Sequence, residues 1–178
     1  DLLLGNERGN AVLGICKLPG YPTGEILLET LHLTDCVSPA QLQIRRFLPP
    51  MIIHPLLDRN RDDLSRRFSP AQLQGLPVEL GKSTITQLIT AQQDRLRTLL
   101  ELADHRAQDT LPTLIEGAIT RMKTERKQEL QRLVNLQRVN PLVREEEIDF
   151  VRLQIEQLER YLEKTRVQLD AVRLIITA

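Results

Sequence analysis

Tryptophan is absent from the chain, and aromatic residues make up only 3% of its 178 positions. A platform for stacking single-stranded nucleic acid needs exposed aromatic faces, so that class of function is disfavoured at once. Net charge is missing too, because 24 Lys and Arg balance 24 Asp and Glu. No long-range field draws in a polyanion or an anionic membrane, and any basic function has to be a local patch. The two cysteines, Cys16 and Cys36, form neither a CxxC pair nor a metal spacing and read as free thiols of a reducing compartment. No apolar run reaches membrane-spanning length, and the opening residues carry no secretory-leader pattern, so no membrane contact is expected.

Catalytic signatures are equally scarce. His32, His54 and His105 lie far apart and outside any ligand spacing, so no metal site is expected. No GxSxG is present, and no Ser/His/Asp set can be nominated. The acids Glu145, Glu146, Glu147 and Asp149 need no chemistry to explain them: carboxylates suit the positive end of a helix dipole. The stretch Gly75-Leu76-Pro77-Val78-Glu79-Leu80-Gly81-Lys82-Ser83 comes near a phosphate-binding loop. It has five residues between the glycines where that loop needs four, no buried strand precedes it, and Pro77 removes an N–H from the cradle. Gly81 ending a loop and Ser83 capping the next helix is the simpler reading.

What is present divides the chain in two. Hydrophobic residues at 41% suffice for one domain with a real core. Residues 1–80 hold nearly all the Pro and Gly and read as strands and turns; residues 81–178 read as helix. Gly5–Asn10 is a turn-rich loop. Strands are expected at 11–17, 25–33, 41–48 and 52–57, the second buried on both faces because Leu27 and Leu28 are adjacent. In 41–48, Leu42, Ile44 and Leu48 alternate with Gln41, Gln43 and Arg45, and Pro49-Pro50 ends the run. Short connections suggest an antiparallel meander. Ser-Pro-Ala-Gln-Leu-Gln occurs at Ser38 and again at Ser69; it reads as a helix start at Ser69 and as overridden by strand context at Ser38.

The second half carries helical stripes. Leu96, Leu99, Leu100 and Ala103 form one, and Leu114, Ile115, Ala118, Ile119 and Met122 another, with Pro112 either kinking or dividing the helix between them. After Asn140-Pro141 a heptad seam begins at Ile148 and Val151, continues through Ile155, Leu158, Leu162 and Thr165, and runs on to Leu169 and Val172. The short break forces two helices to lie antiparallel. The last residues, Leu174-Ile175-Ile176-Thr177, are β-branched enough to leave the helix and join the sheet. The expected fold is therefore α+β: an antiparallel β-sheet beside a long antiparallel helical hairpin, forming one structural domain. The opening at Asp1, directly on Leu2-Leu3-Leu4, reads as a fragment of a larger protein.

One cluster is open to a functional reading. Arg45, Arg46, Arg59, Arg61, Arg66 and Arg67 fall close together, interrupted by Asp58, Asp62 and Asp63. On a shared face they could touch phosphates; the intervening acids favour a mixed, salt-bridged surface instead.

The run Gln41-Leu42-Gln43-Ile44-Arg45-Arg46-Phe47-Leu48-Pro49-Pro50 resembles the C-terminal domain of the RapA (HepA) family of bacterial RNA polymerase-associated proteins. Leu56-Leu57-Asp58-Arg59-Asn60, then Val139-Asn140-Pro141 with Arg144, then Leu169-Asp170-Ala171-Val172-Arg173-Leu174-Ile175 follow in the same order. The resemblance implies a Swi2/Snf2-type, helicase-like ATPase of the bacterial cytoplasm that promotes polymerase recycling in transcription. ATP and Mg would be held by motor lobes outside this region, so this stretch carries no catalytic residue and no cofactor of its own. Implied partners are RNA polymerase and the motor lobes of the same chain, with DNA or RNA possible for the whole protein. A scaffolding or protein-interaction role is the expectation, and a nucleic-acid contact through Arg45–Arg67 is the alternative.

The five-residue glycine gap and Pro77 make a direct prediction. Millimolar ATP with magnesium should leave the melting temperature of this chain unchanged, since any ligand of the folded state must raise it.

Overall fold

A computed structural model describes residues 11–73, 76–77, 82–140 and 142–178. The expected loop at 5–10, most of the 75–81 stretch, the Ser83 side chain and Pro141 lie outside them. In chain order the elements are β1 (Ala11–Cys16), β2 (Ile26–Asp35), β3 (Ile52–Ile53), β4 (Leu56–Leu57), β5 (Leu76–Pro77), α1 (Lys82–Ala91), α2 (Gln93–Gln137), α3 (Glu145–Glu163) and β6 (Arg166–Thr177). The class is α+β, with a long helix against which a second helix packs.

The sheet is mixed, not the antiparallel meander that short connections suggest. Its order is β3-β2-β6-β1-β5, with β4 also paired to β2. β6 runs parallel to β1, from Ala11 opposite Val172 to Cys16 opposite Thr177. β3, β4 and β5 pair antiparallel. Composition explains why β6 takes the inner position. Val172, Leu174 and Ile175 are all buried, and the adjacent pair Leu174 and Ile175 fills both faces, as a central strand must. Loop length favours neighbours in sequence, but apolar content on both faces decides which strand sits inside.

The chain forms two compact units. One takes in β1, β2 to Leu33, residues 52–109 and β6 from Gln168 onward; the other takes in residues 34–51 and 110–167. In the first unit the sheet separates two apolar clusters, because successive side chains of a strand point to opposite faces. Leu27, Leu56 and Ile175 meet Leu64, Phe68 and Leu73 on one side. Leu28, Leu57, Val172 and Leu174 meet Leu96, Leu99 and Ala103 of α2 on the other. Leu27 through Thr30 are buried in succession, as the adjacent leucines of β2 imply.

In the second unit, 41–48 is not a strand. Ala40–Leu42 and Ile44–Arg46 are two 3₁₀ turns, joined by Gln43 in the left-handed region at φ 48°. The Ser38 copy of the repeated hexapeptide therefore does start a helical turn, with Leu42 N–H donating to Pro39 C=O at 3.1 Å. Apolar side chains at Leu42, Ile44, Phe47 and Leu48 match a strand and a pair of 3₁₀ turns equally well over eight residues. Packing settles it, since all four reach Ala118 and Met122 of α2 and Leu158 and Leu162 of α3. At Ser69 the second copy makes one hydrogen-bonded turn, and Ser69 N–H donates to Gln72 Oε1 at 2.9 Å.

α2 passes through Pro112 unbroken. Proline lacks the N–H that would reach Gln108 C=O, but both residues are on the exposed side of the helix, where an unpaired carbonyl costs least. α3 lies antiparallel to α2: Gln137 bonds Glu145 at 3.0 Å, and the earlier Lys123 pairs with the later Glu159 at 2.5 Å. The seam holds at Ile148, Val151, Leu158 and Leu162, all buried. It does not continue to Leu169 and Val172, which belong to β6. Thr165 stops the helix by donating its hydroxyl to Leu162 C=O at 2.6 Å, and the β-branched run beyond it favours strand. The strand return expected at Leu174 in fact begins at Arg166.

Leu158 has no exposed surface in its cluster with Ala118 and Met122. Leu158→Ala should lower stability by about 2–5 kcal/mol in chemical denaturation, the range for a buried leucine truncated to alanine.

Candidate interaction surfaces

The six arginines are divided between the two units. Arg59, Arg61, Arg66 and Arg67 belong to the sheet-bearing unit; Arg45 and Arg46 belong to the helical one.

The loop after β4 is built on Asp58, a buried carboxylate. Its Oδ1 accepts the N–H groups of Asn60 at 2.8 Å and Asp62 at 2.9 Å, and its Oδ2 accepts the Tyr21 hydroxyl at 3.2 Å. These bonds hold Arg61 at φ 71°. Burial first, then the Asp58 charge and hydrogen bond, push the Tyr21 hydroxyl up to about 12. Asp63 also serves the backbone, accepting from Ser65 N–H at 2.9 Å, and it pairs with Arg106 at 3.3 Å. Burial opposes ionisation of Asp63, but its hydrogen bonds and Arg106 hold it below the usual carboxylate range.

The arginines have other partners. Arg59 pairs with Glu25 at 3.0 Å. Arg67 donates to Gly20 C=O at 2.8 Å and lies over the rings of Phe68 and Tyr21 at 5.1 and 5.8 Å. In the helical unit, Arg46 pairs with Glu125 at 2.6 Å and covers Phe47. Arg121 donates to Phe47 C=O at 2.9 Å, tying the 3₁₀ segment to α2. Arg45 and Arg66 are exposed and make no ion pair among the described residues. The ion pairs of the six therefore reach Glu25 and Glu125, more distant in sequence than the nearby Asp58, Asp62 and Asp63.

The histidines stay separate, and among the described residues no cluster of metal-ligand type forms. His105 is exposed and bonds Asp109 at 2.9 Å. His54 meets Glu29, a buried carboxylate of β2 that Arg173 of β6 also contacts. Burial would raise the Glu29 pKa, but the hydrogen bonds and charges of His54 and Arg173 hold it below the ordinary value. His32, buried on the face toward α2, has neither ring nitrogen hydrogen-bonded; its Nε2 lies 3.6 Å from Asp104 Oδ1. Burial lowers its pKa, and the Asp104 charge only partly opposes that.

Exposed apolar side chains gather in the helical unit. Val139 and Leu142 are each 81% exposed at the turn between α2 and α3, with Leu136 beside them. Phe150 and Leu153 stand exposed on α3. Sequence reasoning passed these over. The available signal was that Phe150 and Leu153 are large apolar residues off the Ile148–Val151–Ile155 seam.

His32, Glu29 and Asp63 all have folded-state pKa values below their unfolded ones, so the unfolded chain binds protons first as pH falls. His32 therefore weakens the fold below about pH 6.5, and the two carboxylates weaken it further below about pH 4. Thermal melts should show a falling melting temperature from neutral pH to about pH 5, and His32→Leu should remove a large part of that slope.

The family model described as RNA polymerase recycling family C-terminal matches residues 1–177.

Proposed function

The chain belongs to the RNA polymerase recycling C-terminal family, and on that premise we propose that it is a non-catalytic accessory domain working through protein contacts in transcription. It serves a Swi2/Snf2-type ATPase of the bacterial cytoplasm, with ATP, magnesium and catalysis assigned to motor lobes elsewhere. Its partners are RNA polymerase and those lobes. One observation carries the protein-contact role: the helical unit leaves Val139, Leu142, Phe150 and Leu153 in solvent, around a core already closed by Leu158 and Leu162. Apolar groups exposed together and rimmed by polar residues are a mark of an interaction surface. Among the described residues, no helix is long and apolar enough to cross a membrane.

The alternative is a nucleic-acid contact through Arg45, Arg46, Arg59, Arg61, Arg66 and Arg67. The ion pairs of Arg46 and Arg59 and the backbone bond of Arg67 support the protein reading over it, because those guanidinium groups are already engaged.

Purified core RNA polymerase passed over the immobilised chain should be retained, and retention should survive moderate salt. Duplex DNA or single-stranded RNA should bind weakly at low salt and dissociate near physiological salt, since phosphate contacts carry steep salt dependence. Failure to retain polymerase overturns the proposal. So does micromolar, salt-resistant nucleic-acid binding that disappears when Arg59, Arg61, Arg66 and Arg67 are replaced.

A further inference from the structure

α3 carries a second stripe beside its buried seam. Phe150, Gln154, Gln157, Tyr161 and Lys164 recur at steps of four, three, four and three, so they share one face. Leu153 and Arg160 flank it. This face borders a groove of about 510 Å³ whose opposite wall is Pro39, Gln41 and Leu42 of the 3₁₀ segment.

The charges around the groove are one-sided. No carboxylate lines it, although α3 carries Glu156, Glu159 and Glu163 on its other faces. Lys164 lies over the Tyr161 ring at 5.9 Å and has no acidic partner among the described residues. Arg160 meets Glu156 only at 3.9 Å, with both side chains mostly in water. Gln154 and Gln157 make no side-chain hydrogen bond among the described residues. The groove is therefore apolar at Phe150, amide-lined in the middle and basic at Arg160 and Lys164. From Phe150 to Lys164 it runs about 21 Å, four helical turns.

We propose that this groove receives an amphipathic, carboxylate-bearing helix of a protein partner. The proposal deepens the protein-contact reading above and rests on it. An apolar anchor of the incoming helix covers Phe150 and Leu153, and its acids meet Arg160 and Lys164. An amphipathic helix laid in an apolar groove is an established recognition mode, and opposite charge at one end fixes its direction. A polyanion without apolar groups would satisfy the basic end and leave Phe150 in water. A lipid surface would need the apolar residues on a convex face, whereas Phe150 borders a concave one.

The test uses the whole chain and two fluorescent helical peptides: one Leu-anchored and Glu-rich, the other with Lys in place of Glu. The acidic peptide should bind and the basic one should not. Phe150→Ser and Lys164→Glu should each weaken the acidic peptide roughly tenfold or more, equivalent to about 1.4 kcal/mol. Lys164→Arg should keep affinity, and Ile52→Thr in β3 should leave it unchanged. These positions are exposed, so unchanged melting temperatures will show that the variants fold. A photocrosslinking residue at Gln157 should also join the chain to a carboxylate-rich helix of core RNA polymerase. Equal binding of both peptides, no binding of either, or full competition by single-stranded DNA overturns the groove assignment. Polymerase retention that persists while peptide binding and crosslinking fail removes the groove and leaves the protein-contact role standing. Selective peptide binding without polymerase retention does the reverse.

Discussion

A single buried carboxylate joins three parts of the sheet. Glu29 sits in β2 opposite Leu56 of β4 and is contacted by His54, from the break between β3 and β4, and by Arg173 of β6. An ionised group there is tolerable only while both partners remain, and stripping a partner from such a group costs about 3–5 kcal/mol. The result is positional. β2 and β6 can slide past each other only by separating Glu29 from Arg173, so the pairing register is fixed by charge as well as by the apolar pattern. The same register puts Leu28 and Val172 on the α2 side and Leu27 and Ile175 on the other.

Much of this was legible in the sequence, and the losses have identifiable causes. β1 and β2 are readable as apolar runs between Gly- and Pro-rich turns, and the helical stripes from their period. The seam was correct through Leu162 and wrong beyond it, because Leu169 and Val172 happen to continue a heptad spacing that Thr165 has already ended. The 41–48 segment was misassigned because its apolar positions suit a strand, while the deciding fact is a distant one, the surface offered by Met122 and Leu158. The strand order lay beyond local reasoning altogether, since β6 is separated from both its inner partners by most of the chain. The arginine cluster of the sequence is shared out between the two units. Asp58 and Asp63 looked like charges diluting it, yet their oxygens are turned to backbone N–H groups.

Two kinds of exposed side chain now bear on function. The charged ones are largely engaged within the chain, as Arg46, Arg59 and Arg67 illustrate. The apolar ones at Val139, Leu142, Phe150 and Leu153 are not. This inverts the emphasis that composition invites. With zero net charge and scattered arginines, composition points to electrostatics, but exposed hydrocarbon at these four positions is the feature it does not show. Membership in the RNA polymerase recycling C-terminal family gives that surface a context in which protein contacts matter.

The place of β6 in the sheet also governs the order of events during synthesis. β1 and β2 are made early, and each waits with an unpaired edge until β6, the last strand in chain order, can enter between them. Contacts of such wide sequence separation slow folding and leave strand edges open to wrong partners meanwhile. A nascent chain stalled before β6 presents two apolar strands with no inner neighbour. Their edges stay open for longer than in a fold whose neighbouring strands pair as they emerge.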